Sequence, residues 1–251
     1  MATYVIKLGG STIHDLTADF FTSLQELKNN GHQLVFVHGG GPDISAMMDK
    51  MGVQSEFHNG LRVTSKEVME VVELMLAGKT NRLLTSLLNQ YHIPSIGLNG
   101  SDANFLTGEF VDFLELGYVG TVTNVEIKRL KLLMEEGWTP VISPIAISET
   151  GEKLNVNADM AAGAIAQAIN ADALLFVTDV QGVLHEGNLL QSISKNEVME
   201  FIEKGIIYGG MIPKVNTALK ATEIGVNEVL IVSGKNSFLE GDCLVGTSFT
   251  L

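Results

Sequence analysis

The chain has 251 residues, of which 45% are hydrophobic, so it can form one large globular domain or two smaller lobes. Its formal net charge of −13 argues against non-specific binding to nucleic acid or to an anionic membrane surface. We find no apolar run of the roughly 18 residues that span a bilayer and no signal-peptide pattern. The single cysteine, Cys243, excludes an intramolecular disulfide, and we expect a cytoplasmic protein.

The first predicted strand, over residues 4–6, leads directly into Lys7, Leu8, Gly9 and Gly10. A lysine is costly to bury in a strand, and two following glycines let the backbone turn tightly towards a ligand. A cation beside a glycine-rich turn is typical of a phosphate site. The alternative is an edge-strand lysine that reaches water before an ordinary turn.

Short apolar runs alternate with helical patterns along the rest of the chain. Strands are predicted over residues 33–38, 95–98, 140–143, 173–177 and 228–232. Helices are predicted over residues 16–29, 42–51, 65–76, 79–90, 124–136, 158–170, 195–204 and 213–224. Residues 105–122 alternate in polarity and predict a hairpin that turns at Thr107 and Gly108. The pattern indicates an α/β fold with a mostly parallel sheet covered on both faces.

The second strand ends at His38, and Gly39, Gly40 and Gly41 follow it before a helix. Three glycines at such a turn let a ligand lie against bare backbone near a helix N-terminus. The spacing matches neither the Rossmann fingerprint nor the P-loop. Close packing of the helix on the strand is the alternative.

Arg62 precedes a predicted helix whose Thr64 and Glu67 fit a capping box. We place Arg62 on a loop, where its guanidinium could bind a carboxylate through two hydrogen bonds. From this residue alone, an exposed arginine without a ligand is the favoured interpretation.

Three short polar side chains, Asn155, Asn157 and Asp159, alternate before an alanine-rich helix. On an extended segment they face the same way and form a polar wall. A simple N-cap would need only one of them, so we favour a functional site.

Two further segments combine glycine with a charged side chain. Lys214 follows Gly209, Gly210 and Pro213 into the first turn of a helix, where the helix dipole disfavours a cation. This placement suggests an anion nearby, although an exposed lysine would cost little. The turn of residues 178–182 follows a strand and suits either a ligand or a plain turn.

Taken together, these segments resemble the amino acid kinase family, in order and over nearly the whole chain. They are residues 6–11, 37–42, 59–64, 155–159, 178–183 and 209–215. Residues 7–10 mark the wider family, whereas residues 59–64 and 155–159 are more specific to one of its members. The resemblance implies a three-layer αβα sandwich with a mostly parallel central sheet. It also implies an acyl-substrate lobe with a dimer interface over residues 1–170 and a nucleotide-binding lobe over residues 171–251.

By this resemblance, the terminal phosphoryl group of ATP passes to the side-chain carboxylate of N-acetyl-L-glutamate and forms an acyl phosphate for arginine synthesis. Lys7 and Lys214 would neutralise the transferred group, and Asp159 would orient both lysines. The implied acetylglutamate-binding residues are Gly40, Gly41, Arg62 and Asn155. The implied nucleotide-binding residues are Gly9, Gly10, Thr178, Asp179 and Gly182. Magnesium would arrive with ATP, and no protein ligand is assigned to it.

The chemistry agrees with this set of residues on independent grounds. A carboxylate nucleophile is already ionised near neutral pH, so no general base is required. Phosphoryl transfer then depends on positioning and on neutralisation of charge, for which glycine turns, two lysines and an arginine are suited.

Three alternatives stay open. A kinase of the same family that acts on acetylated aminoadipate would need a basic face to dock an acidic carrier protein, and the net charge of −13 speaks against it. Glutamate 5-kinases and aspartate kinases often carry further carboxyl-terminal domains, for which this chain has no room. A non-catalytic sensor would not need both lysines and Asp159.

The predicted helix over residues 65–76 is apolar on more than one face, which predicts burial around most of its circumference. We therefore expect it to pack against its twin in a two-fold homodimer. Burial inside the monomer is the alternative. Arginine-inhibited hexameric relatives carry an extra amino-terminal helix, whereas the first strand here begins at about Thr3. We expect a homodimer that L-arginine does not inhibit.

Overall fold

The computed structural model describes residues 1–251. The strands are β1 (Thr3–Leu8), β2 (Gln33–His38), β3 (Phe57–His58), β4 (Leu61–Arg62), β5 (Ser95–Asn99), β6 (Leu106–Phe110), β7 (Val119–Val125), β8 (Thr139–Ser143), β9 (Ile145–Ile147), β10 (Lys153–Val156), β11 (Ala173–Thr178), β12 (Leu184–His185), β13 (Asn188–Leu189), β14 (Ser192–Ser194), β15 (Val229–Ser233), β16 (Leu239–Glu240), β17 (Cys243–Leu244) and β18 (Thr247–Thr250).

The helices lie between these strands. They are α1 (Ala18–Asn29), α2 (Gly41–Met51), α3 (Lys66–Glu73), α4 (Asn81–Gln90), α5 (Phe113–Leu116), α6 (Ile127–Glu135), α7 (Ala158–Ile169), α8 (Lys195–Glu203) and α9 (Met211–Glu223). Short 3₁₀ segments occupy Thr12–Asp15 and Asp102–Asn104, and a π-helical segment, Leu74–Thr80, joins α3 to α4. None of these helices has the length and apolar character needed to cross a membrane.

Eight strands form the central sheet in the order β14-β18-β15-β11-β1-β2-β8-β5. All neighbouring pairs are parallel except β15 with β18. Because β1, β2, β11 and β15 are parallel neighbours, their carboxyl ends meet at one edge of the sheet, where ligands of open α/β sheets bind. The predicted mostly parallel sheet is confirmed.

The two faces of the sheet carry separate cores because successive strand residues point to opposite sides. Val5 of β1 packs in the core that contains the buried residues of α7 and α9. Ile6 and Leu8 pack in the core that contains the buried residues of α1 and α4. Helices therefore cover both faces, as the three-layer αβα prediction requires. Lys7 shares the α7 face with Val5, whereas His38 at the end of β2 faces α4.

The division into lobes at residues 170 and 171 falls between α7 and β11. The sheet continues across this point, since β11 pairs with β1 over five residues from Tyr4 to Leu8. The assignment of one lobe to the acyl substrate and one to the nucleotide stays a prediction.

The predicted hairpin over residues 105–122 is present, but its turn is elsewhere. β6 and β7 pair antiparallel, and the chain reverses through the short helix α5 (Phe113–Leu116). Thr107 and Gly108 instead mark a shift of register inside β6. A Cβ on Gly108 would lie 2.4 Å from the Thr121 carbonyl oxygen, so the glycine permits close strand approach and not a turn.

The apolar helix predicted over residues 65–76 begins as α3 and continues through the π-helical segment. Its own chain buries most of its apolar side chains against Ile44 and Met48 of α2 and Ile145 of β9, and the buried ones are Val68, Met69, Val71, Val72, Met75 and Leu76. Leu74 alone of the apolar set is 58% exposed. The physical reason given for a dimer on this helix therefore does not hold, because the monomer already covers it.

Candidate active site

Two glycine-rich turns lie side by side at the carboxyl edge of the sheet. β1 and β2 are paired so that Leu8 is opposite His38, and each strand then enters its turn. A Cβ on Gly10 would lie 2.7 Å from the Gly40 Cα atom, and one on Gly40 would lie 2.6 Å from Leu76 Cδ2. Gly10 must be glycine because the backbone of the second turn packs on it, and a side chain on Gly40 would displace Leu76.

One cavity opens beside the second glycine turn, and we name it the acyl cavity. It has a volume of about 150 Å³ and a mixed polar and apolar wall. All four predicted acetylglutamate-binding residues line it. Its lining comprises Gly39, Gly40, Gly41, Ile44, Phe57, Gly60, Leu61, Arg62, Leu76, Val119, Pro144, Asn155, Val156, Asn157 and Ala158.

Arg62 is buried, contrary to the exposed loop position that the sequence suggested. It ends β4 of a small β3–β4 hairpin and is 7% exposed. Its Nη2 atom donates to the Gly41 carbonyl oxygen at 3.2 Å and to Ser45 Oγ at 2.8 Å. Its Nη1 atom donates to Ser55 Oγ, and the guanidinium lies 4.6 Å from the ring centroid of Phe57. Burial lowers the Arg62 pKa from its ordinary value, yet an arginine stays charged.

The capping box predicted at Thr64 and Glu67 is wrong by one residue. Ser65 is the N-cap of α3, and its hydroxyl accepts from the Val68 N–H at 3.2 Å. The Thr64 hydroxyl is buried and donates to the Arg62 carbonyl oxygen at 2.7 Å. It also accepts from Asn155 Nδ2 at 3.0 Å. The Thr64 hydroxyl thus connects Arg62 and Asn155, which both line the acyl cavity. Because it is engaged there, it does not cap α3.

The three polar residues at the end of β10 and the start of α7 have different partners. Asn157 is the N-cap of α7, and its side chain accepts from the Asp159 N–H at 2.8 Å and the Met160 N–H at 3.3 Å. Asp159 is therefore free of capping and forms an ion pair with Lys7, with 2.7 Å between Oδ1 and Nζ. This Oδ1 atom is buried and makes no hydrogen bond, so the ion pair with Lys7 Nζ is what compensates its charge. Capping therefore accounts for Asn157, and the ion pair with Lys7 accounts for Asp159.

A second cavity of about 290 Å³ lies beside the first glycine turn, and we name it the nucleotide cavity. Val177 is its one hydrophobic lining residue, and three of the others are lysines. The lining residues are Lys7, Gly9, Ser11, Thr12, Asp15, Val177, Thr178, Asp179, Lys214, Gly234 and Lys235. A cavity with this concentration of cations in a chain of strongly negative net charge is suited to a polyphosphate.

Lys214 and Asp179 both line this cavity and form an ion pair on its wall. Lys214 Nζ lies 2.5 Å from Asp179 Oδ1, and this hydrogen bond is the main reason that the pKa of Asp179 is lowered. Asp159 was expected to orient both lysines, whereas here it pairs with Lys7 and Asp179 holds Lys214. Helix α9 begins at Met211, so Pro213 is its third residue and not its first.

Two predicted nucleotide-binding glycines do not line the nucleotide cavity. Gly10 packs on Gly40, as described above, and Gly182 packs on Thr247, whose Oγ1 would lie 2.4 Å from a Cβ at position 182. The Thr178 hydroxyl is used locally, since it accepts from the Val180 N–H at 3.2 Å and donates to the Val180 carbonyl oxygen at 3.0 Å. Its contribution to the cavity is the shape of the turn.

Sequence reasoning missed several lining residues of the nucleotide cavity, of which Lys235 is the most informative. It follows Ser233 and Gly234 at the carboxyl end of β15. A glycine and a lysine at the carboxyl end of a buried strand are the same signal that identified Lys7. Ser11, Thr12 and Asp15 were missed because nothing in their spacing distinguishes them from ordinary turn residues.

Comparisons with known proteins agree with this geometry. The sequence pattern of the amino acid kinase family matches residues 2–233. The chain belongs to the amino acid kinase family. It is 48% identical over 246 residues to the acetylglutamate kinase of Geobacillus sp. strain WCH70, covering 98% of this chain and 96% of that one. It is 41% identical over 245 residues to the acetylglutamate kinase of Bacillus subtilis strain 168, covering 98% and 95%.

A solved structure shows the same fold over the whole chain. The crystal structure of smu.665 from Streptococcus mutans UA159 superposes with a TM-score of 0.85 at 35% identity, covering 99% of this chain and 98% of that one. The resemblance inferred from six short segments is therefore confirmed at the level of family and fold. The roles of individual residues rest on the geometry.

Proposed function

We propose that this amino acid kinase transfers the terminal phosphoryl group of ATP to the side-chain carboxylate of N-acetyl-L-glutamate, in arginine biosynthesis. The observation that carries the proposal is that the Lys7–Asp159 ion pair connects the wall of one cavity to the segment that lines the other. Lys7 lines the nucleotide cavity, and Asp159 directly follows Asn157 and Ala158, which line the acyl cavity. A group transferred from one cavity to the other passes beside this pair.

The reaction needs no proton transfer. A carboxylate oxygen of the acyl substrate forms a bond to the γ-phosphorus of ATP, and the bond from that phosphorus to the β-bridging oxygen breaks. ADP leaves with the electron pair, and the product is an acyl phosphate. Charge spreads over the transferred group in the transition state, so fixed cations and N–H groups are the effective catalysts.

The lysines Lys7 and Lys214 would supply those cations from two sides. Lys7 is held by Asp159 on the α7 face of the sheet, and Lys214 extends from α9. Arg62 and Asn155 would bind the carboxylate and amide of the acyl substrate by exchanging their present partners, the Ser45, Ser55 and Thr64 hydroxyls, for it. The N–H groups of Gly40 and Gly41 would meet its reacting end. The Gly9 turn and the Thr178–Asp179 turn would hold the nucleotide phosphates.

Magnesium would enter with the nucleotide. Mg²⁺ in kinases is bound through the substrate phosphates and one or two carboxylates, and it keeps several waters. Asp15 and Asp179 line the nucleotide cavity and are the carboxylates within its wall. No group of three or more acidic, histidine or cysteine side chains is placed so that it could hold a metal ion by itself. The ion and the lysines would together neutralise the charge of the phosphates.

An assay with four acceptors tests the proposal most directly. ATP consumption and acyl phosphate formation are measured with acetylglutamate, glutamate, N-acetylaminoadipate and aspartate. We expect the highest kcat/KM with acetylglutamate. A preference for N-acetylaminoadipate would assign a different substrate to the same site, and ATP binding without turnover of any acceptor would favour the sensor alternative.

The proposal includes a homodimer in the cytoplasm, and the edge of the central sheet at β5 supports the dimer better than the apolar face of α3 does. β5 is the outer strand of the central sheet, so one of its sides has no partner strand. Beside it, Leu98 and the 59%-exposed Leu132 line an apolar cavity of about 220 Å³. A second copy of the chain would cover this edge.

Light scattering with and without L-arginine, together with an inhibition assay, tests the assembly. We expect the mass of a dimer and no inhibition by L-arginine. A hexamer mass would contradict the first expectation, and inhibition at millimolar arginine would contradict the second. Leu132→Asp is expected to shift the dimer towards monomer, whereas Leu74→Asp, at the end of α3, is expected to leave it unchanged.

A further inference from the structure

His38 is a buried histidine that the proposed reaction does not use. It ends β2, directly before the triple-glycine turn, and is 0% exposed. Burial lowers its pKa to about 4, and the nearby charge of Arg82 contributes in the same direction. The imidazole is therefore neutral at working pH, with one nitrogen that donates and one that accepts.

The neighbours of His38 determine which nitrogen carries the proton. Asn81, at the start of α4, is also 0% exposed, and its Nδ2 atom lies 2.8 Å from the Val141 carbonyl oxygen and 3.3 Å from that of Leu98. Two carbonyl acceptors and the Arg82 guanidinium, which donates to Asn81 Oδ1, fix the amide orientation. The amide has two hydrogens for three acceptors, so one hydrogen is shared with the longer 3.3 Å contact to Leu98, and Asn81 Nδ2 donates to His38 Nε2 at 3.1 Å. Nε2 accepts, so the proton lies on Nδ1.

The Nδ1–H group lies 3.0 Å from the carbonyl oxygen of Gly39, the next residue. The Gly39 N–H donates to the Leu8 carbonyl oxygen at 2.8 Å, so Gly39 is held on both sides. A trans peptide unit points its C=O and its N–H in opposite directions. Fixing the Gly39 carbonyl on His38 therefore directs the Gly40 N–H away from His38. This N–H has no acceptor in the protein, and Gly40 lines the acyl cavity.

We infer that His38 and Asn81 are positioning residues that aim the Gly40 N–H at the reacting end of the acyl substrate. Asn81 selects the imidazole tautomer, the imidazole holds the Gly39 carbonyl, and the peptide plane transmits that orientation to the cavity. Gly97 of β5 belongs to the arrangement, since a Cβ there would lie 2.1 Å from Asn81 Oδ1. The inference rests on the proposed function for the identity of the substrate but not for the hydrogen bonds.

Two variants separate the two nitrogens of the imidazole. Asparagine can place an amide N–H where Nδ1 lies, so His38→Asn keeps the donor to Gly39 and loses the contact with Asn81. Glutamine reaches one atom further, so His38→Gln keeps an acceptor for Asn81 and loses the donor. Loss of one preorganised donor costs about 10²–10³ in rate, and an unaimed donor costs less, so we expect kcat of His38→Gln to fall by about 10–100-fold. We expect His38→Asn to stay within about threefold of wild type, with the KM for ATP unchanged in both.

Thermal unfolding of the same variants provides the matched control. His38→Gln fills more of the buried site and keeps the Asn81 contact, so it should unfold at a higher temperature than His38→Asn. The expected order of activity is thus the reverse of the expected order of stability. Activity that follows stability, or equal kcat in both variants, would overturn the inference. Inactive wild-type protein would instead overturn the proposed function.

Nitrogen NMR of ¹⁵N-histidine in the wild-type chain decides the matter even where a variant fails to fold. His38 is identified as the imidazole that remains neutral at pH 5 and whose signal is altered in Asn81→Ser. We expect protonated Nδ1 and unprotonated Nε2. The Nε2–H tautomer at neutral pH could not donate to the Gly39 carbonyl and would overturn the inference.

Discussion

The acyl cavity and the nucleotide cavity differ in how their polar groups are held. Around the acyl cavity, Arg62 is 7% exposed, and its donors are engaged with Gly41, Ser45 and Ser55. Around the nucleotide cavity, the Lys214 and Asp179 side chains are 29% and 60% exposed. One site is organised by buried hydrogen bonds within the chain, whereas the other relies on exposed charges that can change partners.

This difference determines what substitutions should do. A buried polar group that loses its partner costs about 1–3 kcal/mol, so changes around the acyl cavity should affect stability as well as substrate binding. Exposed ion pairs contribute about 0–1 kcal/mol and are screened by salt. Changes around the nucleotide cavity should therefore leave the fold intact and affect function alone.

The largest effect is expected from the lysines between and beside the cavities. Lys7→Ala and Lys214→Ala should each lower kcat by about 10²–10³, because each removes a fixed cation from the transition state. Neither should lower the melting temperature by more than a few degrees. Lys195→Ala, which breaks a surface ion pair with Glu223, is the matched control and should be fully active. Near-wild-type kcat in either site variant would refute the assignment.

Asp159→Asn sharpens the same comparison because Asn157 and not Asp159 caps α7. The variant should stay folded and turn over slowly, since Lys7 loses its ion-pair partner. Its pH–rate profile should keep every limb that the wild type shows. Loss of a limb would make Asp159 a proton carrier, which the proposed chemistry does not require.

Acid stability should reveal the buried network of the acyl side. The His38 pKa is about 4 in the folded chain and about 6.5 in an unfolded one, so between these values the unfolded state binds the extra proton. The stability due to neutral His38 is complete above pH 6.5 and is lost as the pH falls towards 4, by about 3 kcal/mol. Urea unfolding from pH 7.5 to 4.5 should show this loss in wild type and lack it in His38→Gln. Parallel curves would contradict the depressed pKa.

Arg62→Lys should raise the KM for acetylglutamate by about tenfold or more and leave the KM for ATP nearly unchanged, because a lysine cannot form the planar fork. It should also lower the melting temperature, since Ser45, Ser55 and the Gly41 carbonyl lose their donor. Arg129→Lys, at an exposed arginine that donates to the Ala103 carbonyl, controls for the chemical change. Equal effects on both KM values would place Arg62 outside the acyl site.

The two sides also differ in how far the sequence revealed them. Lys7 and the glycine turns could be predicted because they interrupt buried parallel strands, whose apolar runs make any charge conspicuous. The burial of Arg62 could not, because Ser45 and Ser55 reach it only once α2 and the β3–β4 hairpin have folded together. The same limit applies to His38. Its partner Asn81 lies 43 residues further along the chain, at the start of α4.

The misplaced hairpin turn has a similar cause. A glycine between two runs of alternating polarity was interpreted as a turn, but Gly108 does not turn the chain. Glycine is needed there because the facing strand approaches closely at Thr121. A glycine in the sequence indicates a position where a Cβ atom would not fit, but it does not identify the neighbour that would clash with it. The sequence therefore located six of the eight strands of the central sheet and missed β14 and β18, and the partners of all of them came only from the fold.

Lys235 gives the smallest and most specific test of the nucleotide side. It is exposed, lines the nucleotide cavity and acts on Asp179 through its charge. Lys235→Ala should raise the KM for ATP by about threefold to tenfold at low salt, as expected for one partly screened charge contact. Lys235→Arg should restore it, and Lys204→Ala, which breaks a surface pair with Glu200, should change nothing.

The dependence on salt distinguishes a phosphate contact from a change of shape. A contact that acts through charge weakens as the Debye length shortens, so the KM ratio of Lys235→Ala to wild type should fall towards one between about 20 mM and 500 mM salt. The KM for acetylglutamate should not move, because the acyl cavity recognises its ligand through buried groups. A ratio that is independent of salt would mean that Lys235 shapes the loop after β15, whose Gly234 and Lys235 carbonyls bind Thr17, and does not contact the nucleotide.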